Sequence, residues 1–292
     1  MTDLPPISID PESFLHQHCT LPPLPPMVDR VQQIISRAEY DVDEVVQPIS
    51  SDPALVAQIL KIVNSSYYSL PRDVTEMRFA ITFLGIHEVY RMLLSVSVIK
   101  TLDIKDRDAL YNFWFHSFYT ALCTKYLAKK FEPHLSFEEL WSAAILHDIG
   151  KLIYLKFFPD HYRALLDFCR EQGCLFSTAE NHLSFPSSAE LGALLCKHWR
   201  LPAKIKIACE AHRFSDLSKI APDSPNRSFC RIICMGNLMT ILCTEQLNEE
   251  VKHELADEIQ KTFTCSESEF LALMGDIYDL RIETERFVKM LV

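Results

Sequence analysis

Residues 140–158, LWSAAILHDIGKLIYLKFF, carry a His147–Asp148 pair through the middle of an apolar run, with Gly150 and Lys151 directly after it. An imidazole and a carboxylate held side by side in apolar surroundings are costly unless a metal, a partner group or water satisfies them. Two chemistries are open for such a pair: it ligates a divalent metal, or it is a hydrogen-bonded tie between two helices. Lys151 adds a cation that can meet a phosphate or stand as a solvated charge at a helix end. His116, set among aromatics in FWFHSFY, and His212, in ACEAHRF, are further imidazoles in apolar segments. His182 and His198 read as surface or packing residues. Cys230 and Cys234 can share a helix face, but no second Cys/His pair with zinc spacing accompanies them, so core packing is the reading there.

These groups must be positioned by helices. Ser136 and Glu139 have capping-box spacing, which predicts a helix starting near Phe137 and running into the His147–Asp148 pair. Neighbouring helix residues point roughly 100° apart, so the pair reaches one inward pocket only from an edge of the buried face. Ahead of it, ALYNFWFHSFYTALCTKYLAKKF predicts a strongly apolar helix around His116 with a basic C-terminal end. After it, residues 159–183 predict one or two amphipathic helices. Ser187 or Ser188 caps the next, and Pro202 opens the one leading to His212. Trp199 is read as a core anchor for the turn before Pro202. FCRIICMGNLMTILCTEQL predicts a buried helix around Asn237, with Met235 and Met239 as core filling, and two amphipathic helices close the chain.

The first third of the chain is helical by the same criteria. Residues 1–20 read as an irregular leader. LPPLPP at 21–26 is an extended stretch, either a stiff lead-in or a polyproline ligand. Val28, Val31, Ile34 and Ile35 share one helical face; a short helix breaks near Pro48; and Asp52–Pro53 gives a cap and first helical position. EMRFAITFLG ends at Gly85, a longer helix begins at Ile86, and the charged break DIKDRD at 103–108 marks a lobe boundary.

Strand-like alternation is hard to find, and only 6 Gly occur in 292 residues, so the fold class expected is all-α. A formal charge of −10 argues against a general nucleic-acid or anionic-membrane binder. The start, MTDLPPISIDPESF, lacks a basic–apolar–small export signal, and no run of eighteen apolar residues occurs. The 10 Cys are scattered without a framework spacing, as reduced thiols of a cytoplasmic protein are.

With His116, His147-Asp148-Ile149-Gly150-Lys151 and His212 in view, the second half resembles the HD superfamily of metal-dependent phosphohydrolases. LPPLP at 21–25, SDPALVAQILKIVNSSYYSLP at 51–71, FAITFLGIHEVYRMLL at 79–94 and ELGALLCKHWRLPAKIKIACEAH at 190–212 make the likeness closer: the chain resembles the HDOD domain, the HD-related output domain of bacterial signalling proteins. The likeness covers roughly residues 15–215. It implies a two-lobed helical HDOD fold, with a leader at 1–20, an N-terminal helical lobe at 21–106, and an HD-like lobe with a C-terminal helical extension at 107–292.

The resemblance also implies where the pattern is incomplete. A catalytic HD domain holds one divalent metal with a His, the His–Asp pair and a distant Asp. His116, His147 and Asp148 match the first three, whereas Asn237 stands in place of the last acid. Two-metal relatives carry a histidine where this chain has Ser188, paired histidines where it has Ala211–His212, and a glycine-tyrosine-proline signature not found here. The binuclear mechanism is therefore excluded. The cofactor expected is none, or at most one divalent Fe or Mn on His116, His147 and Asp148, with the Asn237 amide oxygen completing the set. Asn for Asp removes one charge and weakens both affinity and the ionisation of bound water. The degenerate pocket thus comprises His116, His147, Asp148, Lys151, His212 and Asn237, and no catalytic residue is assigned. The function expected is regulation through signalling-protein partners of two-component or cyclic-dinucleotide pathways, with no nucleic acid or membrane. The alternative is a mononuclear phosphohydrolase acting on a nucleotide or other phosphoester.

Overall fold

The computed structural model describes residues 21–291 except 38, 66, 67, 69 and 219, so the leader at 1–20 lies outside the described residues. Among the described residues all regular structure is helical. After the proline stretch come α1 (Pro26–Ile35), α2 (Val42–Ser50), α3 (Pro53–Val63), α4 (Met77–Leu84) and α5 (Ile86–Thr101). Asp52 caps α3 by accepting from Leu55 N, with Pro53 at the first helical position, where its missing N–H costs nothing. Gly85 separates α4 from α5 at φ +86°, ψ 153°, a conformation open in practice only to glycine.

Pro48 does not end α2 as the sequence predicts: the helix runs through it to Ser50. It sits in the last turn, so the single lost backbone bond has little helix left to break, and Ser51 Oγ donates to Pro48 O at 2.6 Å.

The charged link 103–108 ends with Asp106, whose carboxylate accepts from Ala109 N and starts α6 (Arg107–Phe131). Then follow α7 (Phe137–Leu146), α8 (Lys151–Phe157), α9 (Pro159–Gln172), α10 (Phe176–His182), α11 (Ser188–His198), α12 (Ala203–Ala211), α13 (Phe214–Leu217), α14 (Arg227–Thr244), α15 (Glu249–Phe263) and α16 (Glu267–Leu291). Both predicted capping serines act: Ser136 accepts from Glu139 N and Ser187 from Glu190 N. The polar loop expected at 215–227 contains the short α13 at its start.

Two buried apolar clusters hold the helices together. One runs from Leu24 through α1–α5 into Trp114, Phe118 and Trp141, and on to Leu191 and Ile205. The other gathers Tyr119, Leu127, Phe229, Met235 and Met239 with Leu255 and Ile277 of the last two helices. Phe118 and Tyr119 are neighbours on α6, so this helix is the wall shared by both clusters, and His116 lies two and three residues before them. Cys230 and Cys234 are buried in the second cluster, as packing predicts. Trp199 is buried, and its Nε1 donates to Pro22 O at 3.1 Å, which ties the proline stretch down as a lead-in.

Candidate functional site

The helix predicted to run through the pair stops one residue short of it. α7 ends at Leu146, His147–Gly150 form a turn, and α8 begins at Lys151. Bonds from Ile149 N to Leu146 O and from Lys151 N to Asp148 O, at 3.1 and 2.9 Å, tighten that turn to a three-residue repeat. The tighter repeat rotates both side chains inward, and His147 and Asp148 are only 1% and 3% exposed. The turn can sit this deep because Gly150 has no side chain: a Cβ there would lie 1.8 Å from Ser188 O.

Four helices bring their groups to this turn. From α6, His116 Nε2 lies 3.2 Å from Asp148 Oδ2 and 3.3 Å from His147 Nε2. His147 Nε2 is itself 3.5 Å from Asp148 Oδ2. His212, at the end of α12, places Nε2 3.2 Å from Asp148 Oδ1. From α14, Asn237 Nδ2 donates to His212 O at 3.4 Å. Lys151, first residue of α8, donates from Nζ to Asp148 Oδ2 at 2.7 Å. The solvated cation envisaged for Lys151 is therefore corrected: opening a helix rather than ending one, it points back onto the carboxylate. His182 and His198 stay outside, exposed, with the His182 ring stacked on Phe168.

Backbone carbonyls fix how the imidazoles face the carboxylate. His147 Nδ1 is 2.6 Å from Ala144 O and His212 Nδ1 is 2.9 Å from Cys209 O, so in each neutral ring Nδ1 carries the proton and Nε2 presents a bare lone pair. Asp148 Oδ1 and Asn237 Oδ1 are buried and receive no hydrogen bond. Lone pairs from His147, His212 and Asp148 thus converge without enough protons to separate them. Such a donor set fits a small cation. The ligand atoms of His116, His147 and Asp148 lie within 4.8 Å of one another, and Asn237 lines the cavity that reaches Asp148 and His212.

Charge follows the same geometry. Burial pushes the His147 imidazole down to about 3, against the pull of Asp148. Burial would raise the Asp148 carboxyl, but the Lys151 ammonium leads the opposing influences, which hold it well below the usual range. Burial would lower the Lys151 ammonium, and Asp148 overrides that and holds it above the ordinary lysine value.

Acid should therefore unfold the protein early. Below about pH 6.5 the unfolded chain protonates His147 while the folded one does not, until about pH 3. The unfolded state then binds more protons, so this part of the stability is complete above about 6.5 and lost as pH falls. Asp148, with its depressed folded value, extends the loss below the ordinary carboxylate range. The melting temperature is expected to fall steadily from about pH 6.5 downward, and His147→Gln should flatten the upper part of that fall. A wild-type profile that is flat down to about pH 4.5 would contradict this assignment.

A second network escaped the sequence reading. Arg213 donates from Nη2 to Glu180 Oε2 and Ser188 Oγ, both at 2.8 Å, and from Nη1 to Ser187 Oγ at 3.1 Å, while Ser188 N donates to Glu180 Oε1 at 2.8 Å. Where two-metal relatives have a histidine, Ser188 is thus engaged by a guanidinium. The only signal was an arginine next to His212; its partner Glu180 lies 33 residues away.

Two cavities flank Asp148. One, about 420 Å³, reaches His116 between Phe113, Tyr162 and Cys169, with Glu245 at its lining. The other, about 310 Å³, reaches His212, Arg213 and Asn237.

Comparison with known proteins places this arrangement. The family model of the HDOD domain matches residues 21–214, two thirds of the sequence, and the chain belongs to that family. An uncharacterized protein of Treponema pallidum (strain Nichols) is 24% identical over 185 residues, which are 63% of this chain and 36% of that protein. The match thus spans only about a third of the relative's length. Two solved structures share the fold. A candidate phosphohydrolase from Shewanella amazonensis SB2B has TM-score 0.71 and 19% identity, over 96% of this chain and 98% of its own. A candidate signal transduction protein from Marinobacter aquaeolei VT8 has TM-score 0.68 and 20% identity, over 98% of this chain and 62% of its own. No described helix is long and apolar enough to cross a membrane.

Proposed function

We propose that this is a bacterial, cytoplasmic regulatory HDOD protein that acts through signalling partners rather than by turnover. In this reading residues 21–106 form a docking lobe and residues 107–292 the lobe that carries the pocket. The observation that carries it is the state of Asp148. This carboxylate is the acid within reach of His116, His147 and His212, and its charge is already neutralised by Lys151 at 2.7 Å. With Asn237 in place of a second acid, a divalent ion would meet almost no net negative charge. The name of the Marinobacter relative points the same way. Partners of two-component or cyclic-dinucleotide pathways fit an output domain of this family.

The converging lone pairs support a second reading, a mononuclear phosphohydrolase, in line with the name of the Shewanella relative. His116, His147, Asp148 and the Asn237 amide oxygen would hold one Fe or Mn, which when bound supplies an ionised water and polarises a phosphoryl oxygen. Of these, His147 would be oriented by its Nδ1–H bond to Ala144 O, and burial of the His147–Asp148 turn would exclude bulk water.

A phosphoester screen with Mn, Fe(II) or Mg, run on wild type and Asn237→Asp, separates the two. The regulatory reading expects no turnover by either protein. Hydrolysis that rises in Asn237→Asp and vanishes in His147→Ala would replace it with the enzymatic one.

A further inference from the structure

Lys151 Nζ is bonded to the same carboxylate oxygen, Asp148 Oδ2, that faces His116 Nε2 and His147 Nε2 at 3.2 and 3.5 Å. An ion ligated by both histidines would need that oxygen. The lysine side chain is only 16% exposed, and its Nζ lies 4.8 Å from the centroid of the Phe176 ring. Asp148, Lys151 and Phe176 line both cavities, so together they form the partition between the His116 side and the His212 side. A buried ammonium and a divalent ion repel each other, and one carboxylate cannot neutralise both.

We propose that Lys151 is an internal counter-cation that occupies Asp148 Oδ2 in the metal-free protein and must leave it for a divalent ion to bind. This inference rests on His116, His147 and Asp148 being the ligand set. The metal-free and loaded pockets are then exclusive states of one carboxylate. The flexible lysine stem has a second place to go: Glu245 lines the His116-side cavity and exerts an attractive field on the ammonium. Turning there, Lys151 leaves the partition and joins the two cavities. The lysine thereby sets how readily the centre takes up an ion, and whether the pocket is one chamber or two.

The test uses the full chain and Mn²⁺ alone. Titration calorimetry measures affinity, and thermal melting is run in EDTA and in excess Mn²⁺. Lys151→Met keeps the shaft and removes the charge. It is expected to bind Mn²⁺ about tenfold or more tightly than wild type, to melt lower than wild type in EDTA, and to recover in Mn²⁺. Glu245→Gln is expected to weaken Mn²⁺ binding, since it removes the alternative partner. Should Lys151→Met be too unstable to purify without metal, Lys151→Gln, which keeps a donor to Asp148, gives the same comparison. Equal affinity in wild type and variant would overturn the counter-cation while leaving the ligand set in place, and weaker binding would make the lysine an aid to the ion. No Mn²⁺ uptake by any variant would overturn both the inference and the ligand set.

Discussion

Asp148→Ala is expected to lower the unfolding free energy by about 3–5 kcal/mol, the range for breaking a buried ion pair from one side. Removal of the carboxylate takes from the buried Lys151 ammonium its bonded counter-charge, leaving only the field of Glu245, and turns the bare Nε2 atoms of His147 and His212 toward an empty space. The loss comes from the stranded partner more than from the bond itself. The double variant Asp148→Ala/Lys151→Met should therefore be more stable than Asp148→Ala alone, although it carries one more substitution. Urea unfolding followed by helical circular dichroism measures all three proteins and closes the cycle. A single-variant loss below about 1 kcal/mol would mean that water already screens the pair.

Gly150→Ala should be comparably damaging for a steric reason. A Cβ at this position would lie 1.8 Å from Ser188 O, 2.8 Å from Ser188 C and 2.6 Å from Gly192 N, all backbone atoms of α11 and none able to rotate away. The expected loss is at or above the usual overpacking range of about 1–3 kcal/mol. The whole first turn of α11 would have to retreat, taking Ser188 out of the Arg213–Glu180 network. Gly275 offers the control. Nothing lies within 4 Å of a Cβ built there in α16, so Gly275→Ala should stabilise the protein by about 0.5–1 kcal/mol. Melting temperatures that move together in the two alanine variants would show that the close approach at Gly150 is not what limits it.

Local signals in the chain were accurate. The capping serines Ser136 and Ser187, the Asp52–Pro53 start and the Gly85 stop all act within four residues, a span over which chemistry determines backbone directly. His116, His147, Asp148, His212 and Asn237 were legible as a set only through the family pattern, since nothing in their spacing says that α6, α12 and α14 converge. What escaped was relational. Lys151 is three residues from Asp148, a spacing that permits pairing in a helix, yet the break at residues 147–150 decided its direction. Arg213 and Glu180 meet only because α10 and the end of α12 fold against the start of α11. The passage of α2 through Pro48 was likewise set by position near a helix end, which residue type alone does not reveal.

The family match stops at residue 214, but the interior does not. Tyr119 donates its hydroxyl to Ile277 O at 2.9 Å, and Cys123, Leu127 and Leu140 are buried against α14 and the two helices after it. Asn237 lies beyond that limit as well. A fragment trimmed to the matched segment would leave one flank of α6 as a bare apolar strip and would lose a member of the pocket. The unit that can be moved, fused or expressed on its own is therefore longer than the unit that the sequence pattern defines. Grafts of this domain onto other proteins should carry the chain through α16.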